Sequence, residues 1–265
     1  MSPPRLHVIP ALGSPKALIL RSGPSDMVST LLWNREANTY TFGQWLTGRF
    51  YEHRCDLSPD GRHMIYCAGD GTRRWTALSR APWLTALKLL PHESASKGGG
   101  AFTATGALWV NGPSDQTRGF PDDLAAAPAD AFPRAADGFH AGTLYVHQMI
   151  ARGWTHQAGQ GHDAVLQKQL TPTLRLGLSV AAGPFESGLM SNSYTLHRGA
   201  AHQPQPAWEW ADIWGESLQF AIKGALFQAD FIGDKLGPAR RLRDFNGMKY
   251  KPRRAPYEGV GELVS

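Results

Sequence analysis

Four carboxylates in this sequence could share one reaction centre: Glu52 and Asp56 in "RFYEHRCDL", and Glu209 and Asp212 in "WEWADIW". Paired Asp or Glu on facing segments is the apparatus of glycoside hydrolysis. One carboxyl gives a proton while the other activates water or attacks the sugar. A plainer role competes with this one. Asp56 and Asp212 hold the same place in two similar segments, just before a turn, where a short acidic side chain caps backbone amides. The related segment "GGAFTA" carries no acid. The four remain candidates, and the sequence assigns no catalytic residue.

Other reactive types give less. The chain has ten His. His140, His147, His156 and His162 are spaced unlike any zinc motif, so no metal and no cofactor is expected. A G-x-S-x-G nucleophile elbow is absent, since in "GPFESG" the Ser stands directly before the Gly. Gly98-Gly99-Gly100 follows Lys97 without the G-K-[ST] of a phosphate loop, and a strand follows. Those glycines read as a place where chains crowd together. Cys55 and Cys67 flank one turn and make no disulfide framework, which points to buried thiols in a reducing cytoplasm. Pro10, Gly13, Pro15 and Lys16 interrupt the apolar start of the chain, so no signal peptide is expected there. No apolar run reaches the roughly 20 residues of a membrane helix. A cytoplasmic protein without membrane contact is the expectation.

Charge adds one more feature. The formal net charge is +5. Much of it lies in "ARRLRDFNGMKYKPRRAP", where Arg240, Arg241, Arg253 and Arg254 are interleaved with Phe245 and Tyr250. Such a segment suits phosphates with stacked bases, or an acidic protein surface.

The elements that must position these residues can be read from "CDLSPDGRHMIYCAG", residues 55–69. Pro59 presets one turn position, Asp60 tolerates the next, and Gly61 accepts positive φ. The runs "RFYEHRCDL", "RHMIYCAG", "RRWTALSRA" and "LTALKLLPH" read as four strands over residues 49–91. That is the size of one propeller blade, about 40–45 residues. With 29 Gly, 19 Pro, 9 Trp and only 18% charged residues, the chain suits an all-β protein rich in turns. A blade must be covered by neighbours on both faces, so copies are required. "SPKALILRSG", "GALWVNG", "TPTLRLGLSVAAG" and "GESLQFAIKG" share the pattern. Second strands then begin near 17, 62, 107, 173 and 216.

"DLSPDGRHMIYCAG" resembles the Ser-Pro-Asp-Gly repeat of TolB-like and WD-repeat-like β-propellers, where it joins the first two strands of each blade. The resemblance implies a fold and no chemistry. The expected architecture is a single small β-propeller over residues 1–265, with about five blades of four antiparallel strands. An insertion over 113–141 and a basic tail from about 238 to 265 complete it. Two variants follow: "GVGELVS" at 259–265 adds a strand beside the first blade, or "GTLYVHQMIARGW" at 142–154 begins a sixth. Short helix is expected only near 113–141. The expected function is a non-catalytic interaction module, a subunit or accessory of a larger assembly. Its protein partner would meet Phe120 and Phe132 of the insertion and Trp208, Trp210 and Trp214. The alternatives are a hydrolase of glycosidase or phosphoesterase type at the channel mouth, and a nucleic-acid contact through the basic segment. No small-molecule substrate is expected for the module.

Overall fold

The computed structural model describes residues 3–23, 25–92, 98–111, 119–132, 141–182 and 190–258. Antiparallel sheets follow one another along the chain. The first runs β1 (Arg5–Pro10), β2 (Lys16–Ser22), β3 (Met27–Asn34) and β4 (Thr39–Thr47), in that order. The second holds β5 (Arg49–Phe50) and β6 (Asp56–Leu57), both paired to β7 (His63–Gly69), then β8 (Arg74–Arg80) and β9 (Lys88–His92). A two-stranded sheet of β10 (Gly100–Phe102) and β11 (Leu108–Val110) comes next, followed by helix α1 (Ala141–Ala151). The five-stranded sheet after it orders β12 (Thr155–Ala158), β13 (Val165–Gln169), β14 (Leu174–Ala182), β15 (Met190–Arg198) and β16 (Ala201–Gln205). The last has β17 (Trp208–Trp214), β18 (Ser217–Ile222) and β19 (Ala225–Ile232), the latter paired to both β20 (Lys235–Leu236) and β21 (Arg240–Asp244).

Apolar clusters join each sheet to the next and close a ring. Leu18, Leu20 and Val28 of the first sheet meet Phe50, Met64 and Tyr66 of the second. Ile65 and Leu78 meet Phe102, Leu108 and Val110. Ala101 and Trp109 pack on Leu144 of α1. Tyr145 and Met149 of α1 join the fourth sheet and Trp208, Leu218 and Phe220 of the fifth. Leu6, Val8 and Trp33 of the first sheet pack on Trp210, Ala221 and Leu226 of the fifth. Sheets joined face to face around an axis are a β-propeller arrangement, here with four blades of four or five strands.

About five blades of four strands is therefore corrected to four. Among the described residues the expected third blade is a hairpin, widened by a bridge from Leu108 to Ala126. The segment 142–154 is not a strand: residues 141–151 are helical and occupy the space beside that hairpin. Its buried positions, Leu144, Tyr145, Gln148 and Met149, recur at helical spacing, which a β-rich composition had hidden. Residues 122–127 form a turn and a bridge and no helix. Much of the expected insertion, 113–118 and 133–140, and the tail 259–265 lie outside the described residues.

The turn that opened the fold reading is as its residues require. Gly61 has φ of 68°. Ser58 Oγ donates to Asp60 at 2.6 Å and accepts from the amides of Arg62 and His63. The glycine run is crowded as expected: a Cβ on Gly99 would lie 2.5 Å from the backbone oxygen of Arg54. Cys55 and Cys67 are free and buried.

Candidate functional site

The four candidate carboxylates separate into two pairs. Asp56 and Asp212 are structural. Asp56 Oδ1 accepts from the Leu57 amide at 2.9 Å and Oδ2 from the Phe102 amide at 2.9 Å. Arg152, just past α1, completes it with an ion pair at 2.5 Å. Asp212 repeats the pattern: its Oδ1 accepts from the Ile213 amide at 2.9 Å and pairs with Lys168 Nζ at 2.5 Å. Arg35 approaches its other oxygen at 3.9 Å. These acids tie the inner strands to their neighbours, with their lone pairs committed to amides and cations.

Glu52 and Glu209 are placed differently, and the structure brings them to one cleft of about 320 Å³. The cleft lies where the ring's inner segments begin, and Arg5, Leu6, His7, Ser22, Arg49, Phe50, His53, Met190 and Asn192 also line it. One turn of 3-10 helix, Glu52–Arg54, interrupts the first strand of the second blade between β5 and β6. That break lifts Glu52 and His53 out of the ladder and turns them to the cleft. Ser22 Oγ donates to Glu52 at 3.1 Å. Glu209 is the second residue of β17, where a bulge between Trp208 and Trp210 frees it from the pairing register. Its Oε2 accepts from the Leu6 amide at 3.0 Å, which fixes it beside β1. Burial raises the pKa of both carboxyls, against the pull of nearby Arg5.

Two imidazoles form the floor. The rings of His7 and His53 are 5.2 Å apart, and His53 meets the Tyr145 ring edge-on at 4.4 Å. His53 Nε2 and Asn192 Oδ1 are 3.1 Å apart, and Asn192 Nδ2 donates to the Tyr145 hydroxyl at 2.8 Å. With Asn192 so oriented, its oxygen faces an Nε2–H on His53. Burial pushes the His53 pKa down to about 4 and that of His7 well below its ordinary value. Both rings are thus neutral at pH 7. No described group of three or more His, Cys, Asp or Glu residues could hold a metal ion.

The predicted aromatic contacts fall mostly inside the fold. Trp208 and Trp210 are 8% and 3% exposed and belong to the core, so they present no partner surface. Trp214 is half-buried beneath the Arg35 guanidinium, 4.7 Å from its ring centre. Phe120 is half-buried against the Phe102 and Leu108 cluster. Phe132 is half-buried against Trp109, with ring centres 5.5 Å apart.

The basic segment forms a strap. Arg240 and Arg241 lie on β21, the outer partner of β19. The chain then crosses the flank of the first blade. Phe245 is fully buried and its carbonyl accepts from Arg21 at 3.2 Å. Tyr250 packs edge-on to Trp45, and the Arg253 guanidinium covers Phe42 at 5.6 Å. Gln44 donates to the Arg253 carbonyl at 3.0 Å while accepting from the amides of Leu84 and Thr85. Tyr257 ends the strap on the second blade, donating to the Thr85 carbonyl at 2.7 Å. Arg240, Arg241, Lys249, Lys251, Arg253 and Arg254 are all exposed, as is Tyr250 at 61%. Sequence reasoning missed the strap because its anchors, Phe245 and Tyr257, bond residues some two hundred positions away.

No family model and no curated protein matches the chain. Among solved structures it is similar to an acylaminoacyl peptidase in complex with Z-Gly-Gly-Phe-chloromethyl ketone, at 12% identity and a TM-score of 0.34, covering 92% of this chain and 53% of that one. It is also similar to the β-propeller domain of the Trilobed protease from Pyrococcus furiosus, at 8% identity and a TM-score of 0.34, covering 93% and 100%. An uncharacterized protein of Listeria monocytogenes gives 8% identity and a TM-score of 0.33, covering 89% and 66%. The chain spans about half the length of the acylaminoacyl peptidase. At these scores the likeness carries no chemistry to this chain.

Proposed function

We propose that this protein is a non-catalytic interaction module, a subunit or accessory of a larger assembly, and that it meets an acidic protein partner through the strap. One observation carries the reading. Six exposed cations and an exposed tyrosine lie on a segment anchored along its length, and among the described residues only Arg241 of the six has an ion-pair partner, Asp244 at 3.4 Å. Arg and Tyr are enriched at interfaces, and an anchored segment loses little further entropy when a partner docks. The insertion's Phe120 and Phe132 serve packing, which moves the proposed contact from the insertion to the strap. The test is charge reversal of Arg240, Arg241, Arg253 and Arg254 to Glu. Recovery of a defined partner from a gentle pull-down should be lost, with the thermal transition unchanged, and recovery by the unaltered protein should fall with added salt. Recovery that resists both changes would overturn the reading. Competition by short single-stranded nucleic acid would replace the protein partner with a nucleic-acid one.

A hydrolytic reading, of glycosidase or phosphoesterase type, is favoured by one observation: Glu52 and Glu209 line the same cleft. Turnover of a glycoside or phosphoester that is lost in Glu52→Gln would replace the module with an enzyme.

A further inference from the structure

The cleft holds charges that the fold leaves without an ion-pair contact, although Arg5 acts on both carboxylates across it. Among the described residues, no salt bridge includes Glu52, Glu209, Arg5 or Arg49, although all four line one cleft. The buried acids of the axis, Asp56 and Asp212, are by contrast each neutralised by a cation. Holding the two half-buried carboxyls in this cleft with no cation in contact costs stability, while the exposed Arg5 and Arg49 remain hydrated. A ligand that brings the complementary charges removes that cost.

The geometry narrows the class. Glu209 is fixed by the Leu6 amide on one side of β1, and Glu52 by Ser22, whose cross-strand partner is Arg5. The carboxylates therefore flank the start of β1, while exposed Arg5 and Arg49 stand at the rim. A simple anion would satisfy the arginines and be repelled by the carboxylates. A simple cation would do the reverse. A neutral polyol would bury all four charges without neutralising any. A molecule with both charges meets every group. The neutral imidazoles of His7 and His53 on the floor compete for neither end, and Leu6, Phe50 and Met190 offer an apolar wall. A volume of about 320 Å³ fits a small molecule and not a polymer.

We propose that this cleft binds a small zwitterion of the amino-acid class, with its ammonium against Glu52 and Glu209 and its carboxylate against Arg5 and Arg49. The proposal is independent of the strap contact, and either can fail alone. It requires binding and no turnover.

The experiment uses calorimetric titration of the full chain with three probes: L-phenylalanine, N-acetyl-L-phenylalanine, which lacks the cation, and L-phenylalaninamide, which lacks the anion. L-Phenylalanine should bind saturably at one site, and each capped probe about tenfold or more weaker. Arg5→Gln with Arg49→Gln, both at exposed positions, should weaken L-phenylalanine and leave the amide's residual binding unchanged. Glu52→Gln, which keeps an acceptor for Ser22, should weaken L-phenylalanine and leave the N-acetyl probe unchanged. Thermal melts of each variant establish that it is folded. No heat from L-phenylalanine, equal affinity for capped and free probes, or preference for maltose or phenyl phosphate would each overturn the assignment.

Discussion

Asp56→Asn tests whether the axis is held by the buried ion pair at the end of α1. The side chains of Arg152 and Asp56 are 7% and 2% exposed, so water can replace neither partner. Asp56 serves three elements at once: β6 through the Leu57 amide, β10 through the Phe102 amide, and α1 through Arg152. Asparagine has one acceptor oxygen, so it can keep one of the two amides and must aim its own N–H₂ at the other or at the cation. Arg152 would retain the carbonyls of Pro10 at 2.9 Å and Gln148 at 3.1 Å, but its charge would be uncompensated. Removing one partner of a buried pair costs about 3–5 kcal/mol. At about 2–4 °C per kcal/mol for a chain of this size, the thermal midpoint should fall by roughly 6–20 °C. Arg152→Met should cost less, because Asp56 keeps both amides. In the double variant no unpaired charge remains, so its loss should be smaller than the sum of the two by about 2 kcal/mol or more. Circular-dichroism melts and urea titrations of all four proteins measure this cycle. A shift below about 2 °C for Asp56→Asn, or strict additivity, would refute the claim that this pair holds hairpin, helix and blade together.

Gly61→Val should destabilise the fold by about 1–3 kcal/mol, read from the urea midpoint, because it imposes positive φ on a branched residue. The new Cβ would also press on Lys16 Cδ at 2.6 Å. Phe245→Ala removes a fully buried ring from the seam between first and last sheets and should cost about 3–5 kcal/mol by the same measure. His53 titrates near 4 in the fold against 6.5 when unfolded, so the unfolded chain binds more protons between those values. Its contribution is constant above about pH 6.5 and falls away, by up to roughly 3 kcal/mol, as pH drops toward 4. Glu52 and Glu209, with raised pKa, act in the opposite direction. The measurement is therefore the difference in stability slope between the protein and His53→Asn over pH 4–7, and the variant's curve should be the flatter at that site.

What the sequence discloses and what it hides divide by range. The hairpin at 55–69 is legible because its determinants are neighbours: Ser58, Asp60 and Gly61 bond or bend within a few positions. Strands start near 17, 62, 107, 173 and 216 as the pattern required, as β2, β7, β11, β14 and β18, although β14 is the third strand of its sheet and not the second. The equivalence of Asp56 and Asp212 also survives, down to the amide each one accepts. Blade number was not legible, because among the described residues β10–β11 has no outer strands and a helix packs beside it. Tyr145, Val146 and Ile150 favour strands by type, and only the packing of Leu144, Tyr145 and Met149 against other blades selects the helical period. Glu52 and Glu209 were identifiable as acids but not as neighbours. Their meeting depends on a 3-10 turn, a bulge and ring closure, none of which has a local signature.

Closing the ring by packing also sets the order in which the fold can complete. Among the described residues, no strand from one end of the chain joins a sheet at the other. The first three sheets can assemble early during synthesis, yet they form an open arc whose Ala101 and Trp109 flank stays bare until Leu144 arrives. The arc's other flank waits longer. Arg21 reaches its partner carbonyl on Phe245 across 224 positions, and Leu6 is bonded by Glu209 across 203. Contacts of that sequence separation form only after much loop entropy has been lost, and they slow folding. The cleft of Glu52 and Glu209 stands at this last seam, so it comes into existence only when the first and last sheets meet.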